Sequence, residues 1–359
     1  MPHFAAGVGR VHSRVWTCHA CGWRAPPARH KEDHGRRSRG GGVSAAPDSQ
    51  AQDSGLRGLV LSRGTVDRST ERRRDTEWLA AAWADPRTRV VVVDNGQALV
   101  RADADREELV FASPASAPDG VRFLLGTDPD GIVYFGVAGP LPQPESLGQE
   151  GAAARPTGLR QAGPLLSDRD VGLMTHAVAL GNWHSVFVHC PRCGAVTEPA
   201  LSGHSRICPV DSSEHFPRLD PAVIMLVTDP DDRALLARNA QWPERRVSIL
   251  AGFVEPGESA EQAVGREVLE ETSISVGDTQ YVGSQPWPMP HSLMLGFRAR
   301  ATGSLLITVD QEEIAEARWF SRDDLRQAIA EGTIRLPPPV SIAHRIIESW
   351  YGSELAGAW

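Results

Sequence analysis

One stretch constrains this chain more than any other. Residues 251–274 read Ala-Gly-Phe-Val-Glu-Pro-Gly-Glu-Ser-Ala-Glu-Gln-Ala-Val-Gly-Arg-Glu-Val-Leu-Glu-Glu-Thr-Ser-Ile. Gly252, Pro256 and Gly257 demand a looped backbone, and Ala263, Val264, Val268 and Leu269 then recur at helical spacing. The segment therefore predicts strand, loop, helix. On that helix Glu267 and Glu271 stand at i, i+4, with Glu270 at i, i+3 from Glu267. Like charges so placed cost a few tenths of a kcal/mol per pair unless neutralised. Arg266 and solvent supply part of that neutralisation. A hard divalent cation supplies it better, because Mg²⁺ prefers carboxylate oxygens. A metal there clamps a diphosphate and activates water. The competing reading is a solvated acidic face.

The bulk numbers leave room for such an enzyme. The 359 residues suffice for two domains, and 41% apolar with 23% charged residues is ordinary for a globular protein. A net charge of −8 argues against a protein that coats nucleic acid non-specifically. No stretch approaches the ~20 apolar residues of a membrane span, and no apolar signal core opens the chain, so no membrane partner is expected. Five cysteines, Cys18, Cys21, Cys190, Cys193 and Cys208, form an odd and sparse set that suits a reducing compartment, with the cytoplasm as the expectation.

Along the chain, residues 1–58 read as a disordered basic tail and linker. The alternative is a small zinc- or nucleic-acid-binding arm using Cys18, Cys21, His19, His30 and His34. Residues 59–185 read as a mixed α/β domain. In it Asp75–Trp83 is a capped helix, Arg89–Val100 a hairpin turning at Asn95-Gly96, and Asp168–Leu180 a helix. Strands are expected near Phe123–Leu125 and Gly131–Val137. Residues 186–217 read as a zinc-ribbon-like segment. Cys190 and Cys193 form one knuckle, Cys208 opens a second, and the fourth ligand is Asp211, His204 or His215. A metal-free ribbon held by packing alone is the alternative. Residues 218–352 form the last domain, entered through a buried strand at Ala222–Thr228 and its partner at Ala234–Arg238.

Gly252, Glu258, Arg266, Glu267, Val268, Glu270, Glu271 and Ile274 hold eight fixed positions of the Nudix box, and the segment resembles that family. The box's second glycine is here Ser273, at about 1 kcal/mol if the backbone is left-handed. Ten residues on, Ser284-Gln285-Pro286-Trp287-Pro288-Met289-Pro290-His291-Ser292 resembles the signature of the NADH pyrophosphatase branch, with Met289 in place of Phe. By its prolines alone this segment is a rigid edge or a loop lining a pocket. The resemblance implies an α+β protein: a Nudix α/β/α sandwich behind an N-terminal mixed α/β domain and an intervening zinc ribbon.

The resemblance further implies hydrolysis of NADH or NAD to nicotinamide mononucleotide and AMP, removal of NAD caps from RNA, Mg²⁺ or Mn²⁺, structural Zn²⁺ and a homodimer. By position, the metal ligands would be Glu267, Glu271, the Ala251 carbonyl and Glu313, with Glu312 as the neighbouring alternative. Glu271 would orient or deprotonate the attacking water. Substrate contacts would come from Gln285 through Ser292, from Ala343 and from Arg160. Phe216 and Phe253 are stacking faces or ordinary core residues. The rival functions are a Nudix hydrolase of ADP-ribose or another nucleoside diphosphate derivative, and an inactive nucleotide-sensing or RNA-binding module.

Overall fold

The computed structural model describes residues 55–355. The basic tail, Cys18 and Cys21 lie outside them. Residues 59–186 carry α1 (Thr76–Ala84), β1 (Arg89–Val93), β2 (Gln97–Asp103), β3 (Arg106–Leu109), β4 (Val121–Thr127), β5 (Val133–Ala138), β6 (Arg155–Gly158), α2 (Leu159–Ala162) and α3 (Asp168–Val186). Asp75 caps α1 by accepting from the Trp78 amide, and α3 runs six residues past its expected end.

Strand alternation sorts the side chains into two layers. Val91, Val93, Phe123, Leu125 and Tyr134 pack with Val171, Met174, Ala177 and Val178 of α3. Val90, Val92, Leu124, Phe135 and Val137 pack on the other face with Ala82 of α1.

The expected hairpin at Arg89–Val100 is corrected. Asn95 and Gly96 do turn the chain, with φ of 48° and 74°, and Asp94 exchanges backbone hydrogen bonds with Gln97. Beyond that bridge the strands part. β1 pairs in parallel with β5, whereas β2 pairs antiparallel with β3 and β6.

A small sheet of β7 (Glu198–Ala200), β8 (Ser205–Ile207) and β9 (Glu214–His215) follows. The remainder holds β10 (Asp220–Thr228), β11 (Ala234–Asn239), β12 (Leu250–Phe253), α4 (Ala260–Thr272), β13 (Ser275–Trp287), β14 (Ser292–Thr302), β15 (Ile314–Phe320), α5 (Arg322–Ala330) and α6 (Ile342–Tyr351). The sheet order is β13-β14-β10-β11-β15, with β12 added to β10. Val223, Met225 and Val227 of β10 pack with Ala263, Val264 and Val268 of α4. Ile224 and Leu226 face Leu325 of α5 and Ile346 and Ile347 of α6. This is a three-layer α/β/α sandwich, and the proline-rich segment closes its edge hairpin, β13–β14.

The two halves share a plan that sequence reading missed. β1 is parallel to β5, which is antiparallel to β4; β10 is parallel to β14, which is antiparallel to β13. β2 pairs antiparallel with β6 as β11 does with β15. Both hairpins carry a bulge with a positive-φ glycine, Gly126 (144°) and Gly283 (149°).

Candidate active site

The strand, loop and helix of residues 250–272 form where the sequence places them. Ser259 caps α4 in a reciprocal capping box with Gln262. Arg266 then ties loop to helix. Its guanidinium donates to both Glu258 oxygens (2.8 and 2.9 Å), to the Phe253 carbonyl (2.9 Å), to Glu267 Oε1 (2.8 Å) and to Glu270 Oε2 (3.0 Å). Those bonds hold the Glu258 carboxyl down at about 2.

One arginine serves three carboxylates, and it does not reach Glu271. That side chain is 7% exposed, and its Oε2 is buried without a hydrogen-bond partner. Burial first, then the charges of Glu267, Glu313 and Glu270, push its pKa up to about 8. Burial also raises Glu267. Glu313 acts on both groups and Glu312 on neither, which favours Glu313 between the two alternatives.

Gly252 completes the cradle. It pairs with Val223, and a Cβ built on it would overlap the Glu267 carboxylate, so the strand passes directly beneath that group. A buried acceptor without a donor, beside two further carboxylates, is the donor set of a hard divalent cation. The residues fit Mg²⁺ or Mn²⁺. Ala251, next along β12, is exposed.

Ser273 ends α4 in the left-handed region (φ 61°), as the missing glycine implied. Its hydroxyl donates to the Thr308 carbonyl (3.1 Å), which offsets part of the strain.

The ribbon brings Cys190, Cys193, Cys208 and Asp211 together, with ligand atoms within 4.8 Å of one another. Its two turns repeat one geometry. Cys190 N–H bonds Ala195 O and Gly194 N–H returns to Cys190 O; Cys208 N–H bonds Ser213 O and Ser212 N–H returns to Cys208 O. Asp211 occupies in the second turn the place of Cys193 in the first. Burial lifts the Cys208 thiol to about 11, a penalty that a coordinated cation removes. His204 drops out as a ligand, because its Nε2 bonds the Leu124 carbonyl (2.7 Å) inside the first half. His215 is held by Ser213 (2.9 Å).

The proline-rich segment is only partly what its sequence suggested. Gln285 is 0% exposed: its Oε1 accepts from the Leu61 amide and its Nε2 donates to the Val340 carbonyl. It joins the halves through one bond at each end of its amide. Trp287 and Met289 pack on the core of the first half, and Arg160 joins them, donating to Met289 Sδ (3.3 Å) and lying 5.3 Å from the Trp287 ring centre. Asn182 donates to the Pro288 carbonyl (2.8 Å), and His291 Nδ1 lies 3.0 Å from Asp220 Oδ2. No sequence signal marked Asn182 or Asp220.

Pro288 is buried, Pro290 exposed, and Pro286 and Ser292 intermediate. Ala343 is 1% exposed within the second core, and its amide donates to Ser341 Oγ (3.2 Å). Phe216 (61%) and Phe253 (58%) are exposed rings and not core residues.

Three family models match the chain: the NUDIX domain at residues 218–338, the NADH pyrophosphatase zinc ribbon domain at 187–216, and an NADH pyrophosphatase-like rudimentary NUDIX domain at 87–183. The last accounts for the shared plan of the two halves. The chain is similar to the NAD-capped RNA hydrolase NudC of Mycobacterium bovis (42% identical, 82% of this chain and 95% of the relative). It is 41% identical to that of Mycobacterium tuberculosis over the same shares. An NAD-capped RNA hydrolase of Homo sapiens is 33% identical over 81% of this chain and 72% of the relative. With the acidic helix, the thiolate ribbon and the rudimentary first half in one chain, this protein belongs to the NADH pyrophosphatase branch of the Nudix hydrolase family.

Proposed function

We propose that the chain hydrolyses the diphosphate bond of NADH and NAD to nicotinamide mononucleotide and AMP, and does so also where NAD caps an RNA. The observation that carries the reading is Glu271, a buried carboxylate with an unpartnered oxygen facing Glu267 and Glu313. Glu267, Glu271, Glu313 and the Ala251 carbonyl would hold Mg²⁺ or Mn²⁺. Bound there, the ion polarises a phosphoryl oxygen and makes its water acidic. Glu271 orients the attacking water and accepts its proton, while Arg266 and Glu270 keep the helix face aligned. The ribbon's three thiolates and Asp211 would hold a structural Zn²⁺.

Phe253, beside the cradle, and Phe216 offer faces to a base or a nicotinamide ring. Arg160 with Trp287 and Met289, and Pro286, Pro288, Pro290, His291 and Ser292, form the wall assigned to the substrate. In this reading residues 59–185, 186–217 and 218–352 are the working divisions and the chain acts as a homodimer. No helix among the described residues is long and apolar enough to cross a membrane. Among the described residues Cys190, Cys193 and Cys208 form no disulfide, which suits a reducing compartment, and the reading places the chain in the cytoplasm.

The test is a panel of NADH, NAD, ADP-ribose and NAD-capped RNA with Mg²⁺ or Mn²⁺. The expected products from NADH are nicotinamide mononucleotide and AMP. A kcat/KM for ADP-ribose above those for NADH, NAD and capped RNA would move the assignment to the rival substrate class.

A further inference from the structure

A cleft of about 490 Å³ lies between the first half and the β13–β14 hairpin, apart from the carboxylate site. Arg63, Arg68, Arg169 and His176 line it, and no carboxylate does. Two of the cations are already balanced, Arg63 by Asp168 (3.0 Å) and Arg169 by Asp170 (2.8 Å). Arg68 is exposed and forms no ion pair among the described residues. Nearby, the Arg73 Nε is buried without an acceptor. Burial, then the charges of Arg68, His204 and Arg73, hold His176 well below its ordinary value, so the surroundings are cationic. Thr175 also lines the cleft; it is 6% exposed, and its hydroxyl is buried without a partner. The site thus offers an excess of positive charge and a spare hydroxyl donor, with nothing present to accept from either.

Strand register says where the cleft sits. Gly252, Val223 and Leu295 form one cross-strand row on the α4 face. The next row on that face is Pro221, Leu293 and Pro286, and the last two line the cleft. Three strand spacings across and one pleat repeat along separate the Glu267 cradle from Pro286, roughly 15 Å. Exposed Leu219 adds an apolar ledge at the rim, large enough to take the face of a base.

We propose that this cleft binds the phosphodiester backbone of the RNA that follows an NAD cap. The cleft and the carboxylates share one face of one sheet, so a strand leaving the cleaved diphosphate reaches Arg68 and Thr175 without crossing a domain. Arg68 takes a backbone phosphate as a point cation at the mouth, and the Thr175 hydroxyl donates to an oxygen within. Pro286 is where the substrate wall meets the cleft; a free dinucleotide can reach that wall but has no phosphodiester to offer Arg68, so the cleft separates capped RNA from free NAD by KM. The inference rests on the reading that capped RNA is a substrate.

The experiment compares wild type with Arg68→Glu and, more gently, Thr175→Val, which keeps the shape and removes the hydroxyl. The probes are an uncapped, end-labelled single-stranded RNA for binding, and NAD-capped RNA and free NAD for turnover. Arg68→Glu is expected to weaken RNA binding about 10-fold and to flatten its salt dependence by about one unit of slope. KM for capped RNA should rise similarly while kcat/KM for free NAD stays within about twofold. Thr175→Val should show a smaller loss, about 2–3-fold, in the RNA readouts alone.

Equal RNA binding by wild type and Arg68→Glu overturns the cleft, whatever the activity. Equal losses on capped RNA and free NAD overturn it as well. Wild type that binds RNA through Arg68 yet cleaves neither NAD nor capped RNA leaves the cleft standing and removes the activity.

Discussion

The two halves of this protein share the β1–β5–β4 and β2–β6 pairings with β10–β14–β13 and β11–β15, and differ in where the third strand adds and in what is inserted after it. In the second half a loop and helix join β12 to β13, and that helix carries Glu267, Glu270 and Glu271. In the first half β3 passes to β4 through residues 110–120 with no helix and no carboxylate cluster. The sheets, the positive-φ glycines and the packed C-terminal helices α3 and α6 remain in both. A sheet scaffold of this kind is therefore separable from its chemistry, which lives in one inserted segment. The first half has kept burial as its task, and it gives Trp287, Met289 and Gln285 of the edge hairpin something to pack on.

Five substitutions test how far that division goes. Glu271→Gln should lower turnover at least about 10²-fold at saturating metal, with the fold retained, because it removes one charge from an electrostatic site. It should also change the pH profile of the metal-free protein. Burial and the neighbouring carboxylates push the folded carboxyl up to about 8, well above the ordinary carboxylate range, so the folded state holds the extra proton in that window. Stability is then present below the lower value and lost as pH rises through the upper one. Thermal melts from pH 5 to 9 should slope downward for the wild type and flatten in the variant. An unchanged kcat would remove Glu271 from the reaction.

Gly252→Ala and Gly136→Ala make the comparison direct. The first pushes a methyl into the Glu267 carboxylate and should cost about 10–100-fold in metal affinity, read by activity against Mn²⁺ concentration, with little loss of stability. The second drives a methyl into the Phe123 ring and should cost about 1–3 kcal/mol of stability with metal affinity untouched. A drop in metal affinity from Gly136→Ala would mean that the halves are coupled and not divided.

Cys193→Ser probes the element between them. Wild type should carry about one zinc per chain and the variant none, with a midpoint lower by about 5 °C. His204 and Arg206 dock the ribbon on the first half, through the Leu124 carbonyl and His184, so the loss should appear first in that half's amide exchange. Untreated protein without zinc would establish a ribbon held by packing alone.

Ser273→Gly is the smallest expected change. It relieves a left-handed serine but forfeits the bond to the Thr308 carbonyl, for a net gain of at most about 1 kcal/mol by denaturant unfolding. A loss of stability would mean that the hydroxyl outweighs the strain.

Local chemistry was legible in the sequence. The acidic face of α4, the positive φ at residue 273 and the two ribbon knuckles are each set by residues within a few positions of one another. Cα geometry and side-chain type decide such features before any distant contact forms. What only the tertiary structure decided is partnership between distant segments. β1 and β2 read as a hairpin, yet β1 pairs with β5 and β2 with β3 and β6, and Gln285 ties Leu61 to Val340 across more than two hundred and across fifty-five positions of chain. The burial of Ala343 comes from the core that α6 builds against the sheet. The isolation of Glu271 from Arg266 came likewise from packing across the fold. Burial is a property of the whole chain, and burial is what turns a row of glutamates into a site.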